Sequence, residues 1–491
     1  MHTADYIVFI VYLAGVTLFG MTFFRKSKTA SQFTLGNQSI PGWVVMMSIF
    51  ATYVSSISYL ALPGSAFMSD WNAFVFSLSI PFAALVAVKF FVPLYRRINS
   101  PSAYTYLEQR FGPWARIYAS ASYFLTQLMR IGTILYLLSL TVHTIFGWDI
   151  RLVIMVTGLI VMVYSTLGGI QAVVWTDAIQ GLVLIGGAVV SVIVILTGMP
   201  EGPGQVFRIA AENGKFSLGS FGAGLSEQTF WVVLVYGLFI NLQNFGIDQN
   251  YVQRYIAART DKEARQAAFR GGMLYIPVSL LFLFIGTALF AFYSSGAAEL
   301  PAQLFEEGSS DRVFPYFIVH QLPAGITGLL ISSIFAAGMS TISTSYNSSA
   351  TVFLTDYYRR FFRKIPSDRE EMKVLYLSSL VISICGIMIA LAMINVKSVL
   401  DTWWKLASVF SGGMLGLFLL GITTRRKNVA GAIIGVIVGL AIILWMSLSG
   451  IATAAKGEVP RFHTYLSIVF GTSAIFLVGF LVSMLKKGNS K

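Results

Sequence analysis

The sequence predicts an all-α protein that crosses a membrane many times, and three observations carry that prediction. Of 491 residues, 56% are hydrophobic and 11% are charged, whereas a soluble domain of ordinary composition carries about 25% charge. Measured at about 20 apolar residues per helix, the chain divides into about thirteen spans. Basic residues cluster in alternate loops, the positive-inside pattern of a polytopic protein. The net charge of +13 therefore reports orientation in a lipid bilayer and not a nucleic-acid partner.

The spans fall at roughly 5–24, 41–67, 73–95, 117–146, 151–168, 177–198, 228–253, 268–294, 318–358, 374–395, 399–423, 429–450 and 463–485. The first, DYIVFIVYLAGVTLFGMTFF, lacks a basic leader and a small-residue cleavage site, so it reads as a retained helix. Basic clusters occur at Arg25, Lys26 and Lys28; at Arg96, Arg97, Arg110 and Arg116; and at Arg254, Arg259, Lys262, Arg265 and Arg270. Further clusters follow at Arg359, Arg360, Arg363, Lys364, Arg369 and Lys373, at Arg425–Lys427, and at Lys486, Lys487 and Lys491. All fall on one side if the N-terminus is outside and the C-terminus is cytoplasmic. The Gly/Ser-rich loop 199–227 is then external. No soluble domain is expected, so residues 1–491 read as a single transmembrane unit.

Two spans look interrupted. In the second, FATYVSSISYLALPG (residues 50–64) puts Ser55, Ser56 and Ser58 in mid-span, followed by Pro63-Gly64. In the seventh, GLFINLQNFGIDQNYVQRY (residues 237–255) gathers Asn241, Gln243, Asn244, Phe245, Gly246 and Asp248. Polar, Gly/Pro-weakened segments at matching places in two halves point to the binding site of an inverted-repeat transporter. Serines that let helices pack closely are the competing reading.

The ninth span carries FAAGMSTISTSYNSSA, residues 335–350. At about 100° per residue, Ser340, Thr341, Ser343 and Thr344 occupy one continuous arc. Such an arc can serve two neighbouring oxygen sites that share Ser340. Hard cations take oxygen ligands, and neutral hydroxyls with free carbonyls suit a weakly held monovalent ion. Back-bonding of the hydroxyls to the helix's own carbonyls explains the same residues equally well.

Two charges bear on that choice. GGIQAVVWTDAIQ (residues 168–180) puts Asp177 at the predicted start of the sixth span, as a helix cap or as part of an ion path. Arg130, in YFLTQLMRIGTILYL, lies near the middle of the fourth span, where it needs a protein acid or a bound solute to neutralise it. Few acids lie within spans, which favours the solute. Lys89 and Lys405 sit close enough to span ends to snorkel. No nucleotide-binding loop, HExxH or Cys/His cluster occurs, and the lone Cys385 excludes an internal disulfide. An ATP-driven pump or an intramembrane enzyme is poorly supported.

FATYVSSISYLALPG, GGIQAVVWTDAIQ, GIDQNYVQRY and FAAGMSTISTSYNSS together resemble the sodium/solute symporter family, from the first span to at least residue 425. The resemblance implies a leucine-transporter-type fold. A leading helix (5–24) would precede two inverted repeats of five helices, 41–198 and 228–425, with trailing helices over 429–485. It implies sodium as the coupling ion. One site would take the carbonyls of Ala51, Val54 and Ala337 with the hydroxyls of Ser340 and Thr341. A second would take Asp177, Ser340, Ser343 and Thr344. Within the family the pattern looks most like the bacterial sialic acid transporters, where Ser55, Ser58 and Arg130 match residues that meet a sugar acid. Tyr53, Ala73 and Ser77 depart from that branch, which has threonine, phenylalanine and glutamine there. With Gln243 and Phe245, these complete the expected solute pocket. A neutral sugar, a polyol or a monocarboxylate is the alternative cargo, and a passive channel or sensor the alternative class. The oligomeric state stays open.

Overall fold

A computed structural model of the chain describes residues 2–305, 310–362, 366–395, 413–424, 428–455 and 460–485. Among these there is no strand; one bridge joins Ile40 to Ala258. Among the described residues, ten helices are long and apolar enough to cross a membrane, or up to eleven with one bent pair.

The helices run in order from α1 (Thr3–Met21) and a short α2 (Ala30–Leu35) to α3 (Gly42–Tyr53) and α4 (Ser56–Met68). Next come α5 (Phe74–Ile98), the short α6 (Thr105–Phe111), α7 (Pro113–Phe146) and α8 (Ile150–Thr197). The short α9 (Gly204–Glu212) lies in the long loop, followed by α10 (Phe230–Ile247), α11 (Gln249–Ala257) and α12 (Asp261–Ser294). The rest are α13 (Val313–His320), α14 (Ile326–Val352), α15 (Asp368–Ala392), α16 (Met414–Thr423), α17 (Val429–Ala455) and α18 (Leu466–Leu485).

Both expected interruptions are present. Between α3 and α4, Val54 (φ −84°, ψ 119°) and Ser55 (φ −111°, ψ 170°) are extended, and the two helices are bent by 51°. Between α10 and α11, Asp248 (φ −70°, ψ 123°) does the same. A helix that stops in mid-span leaves its last carbonyls and the next helix's first amides without helical partners, which is tolerable there only against protein or water.

Two predicted boundaries need correction. Spans 151–168 and 177–198 belong to one helical run, α8, broken at Gly169 (φ 59°, ψ −158°) directly after the predicted end of the fifth span; the helix resumes at once, so the sixth starts well before residue 177. The left-handed φ requires glycine, and a Cβ there would lie 2.5 Å from Ser27 Oγ and 2.9 Å from Phe33 Cα. The span predicted at 318–358 starts later, because Gly325 (φ 87°) separates α13 from α14; the helix then continues past Val352 in wide turns to Phe362. The span predicted at 399–423 falls mostly outside the described residues, as do Lys405, Arg425–Lys427 and Lys486–Lys491, leaving Met414–Thr423 visible.

α14 is the axis of the bundle. Every residue from Leu330 to Val352 is buried, and α1, α7, α8 and α15 pack around it. The basic loops meet at one end. Arg96 donates to Asp261 (2.7 Å) and to the carbonyls of Ile256 and Ala258, and Arg116 pairs with Glu108 and Asp356. Arg360 pairs with Glu108 and Arg359 with Glu371. At the other end, the Asp5 carboxylate accepts from Gly325 N (2.7 Å) and Gly328 N (3.1 Å), and Lys215 donates to the carbonyls of Phe67 (2.7 Å) and Ser69 (2.9 Å).

Candidate cation and solute sites

The hydroxyl-rich arc of α14 divides between the two readings that the sequence leaves open. Thr341 Oγ1 donates to its own helix at Ala337 O (3.2 Å), and Ser343 Oγ to Ser340 O (3.0 Å). Back-bonding uses the hydroxyl proton and leaves oxygen lone pairs free, so it does not remove these atoms as ligands. Ser340 behaves differently: its Oγ donates to Asp177 Oδ1 at 2.7 Å.

Asp177 is not a helix cap. It lies inside α8, beyond the break at Gly169, and is wholly buried. Its Oδ2 accepts from Ser48 Oγ (2.6 Å) and from Arg254 Nη2 (2.6 Å). The same nitrogen donates to Thr344 Oγ1 at 2.6 Å, while Arg254 Nε donates to Ser48 Oγ (2.6 Å) and Nη1 to Asn250 O (2.5 Å). A buried carboxylate survives when it is paired and fully hydrogen-bonded. Here the pairing ties α3, α8, α11 and α14 together around Ser340 and Thr344.

Arg254 is the residue that sequence reasoning misplaced. Grouped with the basic loop cluster, it is instead a fully buried side chain, while Arg259, Lys262, Arg265 and Arg270 are exposed. The available signal was its place on the short helix directly after a break, one turn beyond Asn250.

Next to this site, the first break supplies the other donor set. The extended Val54–Ser55 link ends the α3 ladder, so the carbonyls of the last turn, Ala51 included, lose their i+4 donors. α14 packs against α3 as well as α4, which places Ala337, Ser340 and Thr341 on a helix facing that turn. Carbonyls and hydroxyls without a net charge match the chemistry of a weakly held sodium ion.

Several of the residues expected to line a solute pocket lie at the same two breaks. Tyr53 stacks on Phe245 (centroids 5.5 Å apart) and meets Tyr275 (4.4 Å) and Tyr251 (6.2 Å). Ser55 caps α4 by accepting from Ser58 N at 3.5 Å. Gln243 Oε1 and Tyr53 Oη are buried without a hydrogen-bond partner among the described residues. Such orphans cost about 1–3 kcal/mol each unless something satisfies them, and a polar solute or water at the breaks would. Ser77 Oγ shares a 2.9 Å hydrogen bond with Ser279 Oγ of α12, one turn from the Tyr275 that meets Tyr53. Ala73 lies just ahead of α5, on the chain that leads to Ser77.

Arg130 does have an acid nearby. Its Nη1 lies 4.0 Å from Asp248 Oδ2, at the outer limit of an ion pair, and both side chains keep some exposure. The expected scarcity of intramembrane acids overlooked Asp248 because that residue was read as part of a weakened helix and not as a counter-charge.

An apolar crevice lined by Phe9, Leu13, Val142, Trp148, Phe335 and Met339 lies between α1, α7, α8 and α14, apart from both sets of residues.

Comparison with known proteins agrees with this architecture. A solved structure of a Na+-coupled sialic acid symporter, in a substrate-bound outward-open state with a novel Na+ site, superposes with a TM-score of 0.92 at 32% identity over 100% of this chain and 99% of that one. The nucleobase-cation symporter Mhp1 matches at a TM-score of 0.56 and 16% identity over 94% of this chain and 95% of that one, a likeness of fold alone. The sodium/sialic acid symporter SiaT of Proteus mirabilis is 36% identical over 98% of this chain and 95% of its own length. The fold is therefore of the leucine-transporter type, the chain is a multi-pass transporter and not an enzyme, and sodium is its coupling ion. Residues 33–439 match the family's profile, and the chain belongs to the Sodium:solute symporter family.

Proposed function

We propose that the protein imports a small carboxylated sugar of the sialic acid type, driven by two sodium ions, through alternating access. The observation that carries this reading is the meeting of both helix breaks with the hydroxyl arc of α14, beside the Arg130 guanidinium. The names of the similar sialic acid symporters support the substrate class.

In this reading one sodium binds the carbonyls of Ala51, Val54 and Ala337 with Ser340 and Thr341, and the second binds Asp177, Ser340, Ser343 and Thr344. The solute's carboxylate meets Ser55, Ser58 and Arg130, and Tyr53, Phe245 and Gln243 line the remaining pocket with Ala73 at its edge. Ser77, bonded to Ser279, completes the pocket in this reading. The repeats are assigned to 41–198 and 228–425, flanked by the leading helix and the trailing pair. The N-terminus is outside and the C-terminus cytoplasmic, which puts the interlocked basic loops on the cytoplasmic face.

The stoichiometry has an energetic reason. Moving one charge through 100 mV is worth about 2.3 kcal/mol. Two sodium ions with a monoanion still carry one net positive charge inward, whereas one sodium would make the cycle electrically silent.

A neutral sugar is the second reading, favoured by the Arg130–Asp248 pairing, which leaves the pocket without net charge. Uptake into sealed proteoliposomes under a sodium gradient decides the matter. N-acetylneuraminate accumulating above equilibrium, and only with sodium, is the expected result; downhill equilibration would mark a channel. Arg130→Gln separates the cargoes. An acid carrier loses roughly tenfold or more in apparent affinity, about 1.4 kcal/mol per tenfold, and a neutral-sugar carrier does not.

A further inference from the structure

We infer that Arg254 is a resident cation of the second sodium site: its guanidinium competes with sodium for Asp177 and Thr344, setting a weak affinity that lets the ion leave. This rests on the two-sodium reading above.

The argument starts from shared atoms. Two of the four side chains assigned to that site are already bonded to one nitrogen, Nη2 of Arg254, which lies 2.6 Å from Asp177 Oδ2 and 2.6 Å from Thr344 Oγ1. The other carboxylate oxygen, Oδ1, stays with Ser340. Sodium can approach through Oδ1 and Ser340, but it cannot also gather Thr344 and the full carboxylate charge while Nη2 sits between them. All of these groups are buried, so the two cations repel each other with little screening. Binding the ion fully and keeping the arginine in place are mutually exclusive.

The position of Arg254 gives the competition a mechanical output. It lies on α11, the helix that starts directly after the break at Asp248. Withdrawing Nη2 breaks the Arg254 link from α11 to Asp177 on α8 and Thr344 on α14, while Arg254 keeps Ser48 and Asn250 O and Gln253 still holds α11 to Asn347, Ser348 and Thr351 of α14. Asp248, at the other end of that short helix, is the residue that faces Arg130. Occupancy of the second site thereby loosens one of the ties on α11, the helix whose other end carries the charge beside Arg130. The same link runs backwards: α11 returning Arg254 to Asp177 expels the ion.

Equilibrium binding of 22Na+ to the purified protein without solute tests this directly. The wild type is expected to bind two equivalents, one weaker than the other. Arg254→Gln removes the rival charge and should tighten the weaker equivalent by about tenfold or more. Melting temperature should fall in choline and recover with sodium, because sodium becomes the only cation paired with the Asp177 carboxylate, whose remaining partners are the Ser48 and Ser340 hydroxyls. The Asp177→Asn/Arg254→Gln double variant should melt normally in choline and bind one equivalent. Arg254→Lys keeps the charge but not the fork, and should shift sodium affinity in the same direction by less. If Arg254→Gln does not fold at any sodium concentration, Arg254→Lys decides. An unchanged or weakened second equivalent in the folded variants overturns the inference, and a wild type that binds a single equivalent overturns the two-sodium reading itself.

Discussion

The two broken helices solve the same problem with opposite chemistry. The α3–α4 break is neutral: Val54 and Ser55 are extended, Ser55 caps the following helix, and the side chains around it are hydroxyls and aromatic rings. The α10–α11 break is charged. Asp248 caps its own downstream helix by accepting from Asn250 N at 2.7 Å, Arg130 stands opposite, and Arg254 follows on the short α11. A neutral break can hold a cation through partial charges and release it cheaply. A charged break acts through pairing, and each pair it makes must be exchanged for another when the helix moves.

Severing the charged side should cost most. Asp177→Ala leaves Arg254 buried without its counter-charge, and the expected loss of stability is about 3–5 kcal/mol by thermal or denaturant unfolding in detergent. The neutral side should fail in function before it fails in stability. In Thr341→Ala, whose hydroxyl donates only to its own helix, the half-saturating sodium for uptake should rise by about tenfold or more, roughly 1.4 kcal/mol per tenfold, with a small change in melting temperature.

Asp248→Asn sharpens the contrast. It frees Arg130 from the rival carboxylate, and for an acidic cargo the apparent affinity should improve by about fivefold, the equivalent of an ion pair worth ~1 kcal/mol. A neutral cargo would show no improvement.

The smallest effect belongs to the loop that braces the first broken helix. Burial lowers the Lys215 pKa, partly offset by Asp70. Between the lowered value and the ordinary lysine value of about 10.4, the unfolded chain holds more protons than the folded one, so stability rises with pH. Melting temperatures compared across that alkaline window should show this rise in the wild type and lose it in Lys215→Met.

Much of this was legible in the residues. Hydrophobic length gave the spans, and Ser55 with Pro63-Gly64 and Asn241 with Gly246 and Asp248 marked the breaks, because a polar residue in mid-span needs a reason to be there. The arc at Ser340, Thr341, Ser343 and Thr344 followed from helical geometry. What stayed hidden was pairing across distance. Asp177 and Arg254 are 77 residues apart, Arg130 meets Asp248 from a different helix, and Ser48 shares its hydroxyl with both members of the buried pair. Span edges suffered for a related reason: the predicted fifth span ends one residue before the left-handed Gly169, but the helix resumes at once and carries Asp177 inside it and not at its start. Arg254 was misassigned because charge near a span end ordinarily means a loop.

Asp5 deserves its own reckoning. Its carboxylate closes the first turn of α14 through Gly325 N and Gly328 N, and a Cβ on Gly328 would come within 2.4 Å of Asp5 O. An anion at a helix start is worth about 0.3–1 kcal/mol, and up to about 2 when partly buried. The first helix is thus moored to the ion-bearing one, so that axial sliding of α14 would have to drag α1 along or break this anchor. Tilting about the moored end remains the cheaper motion.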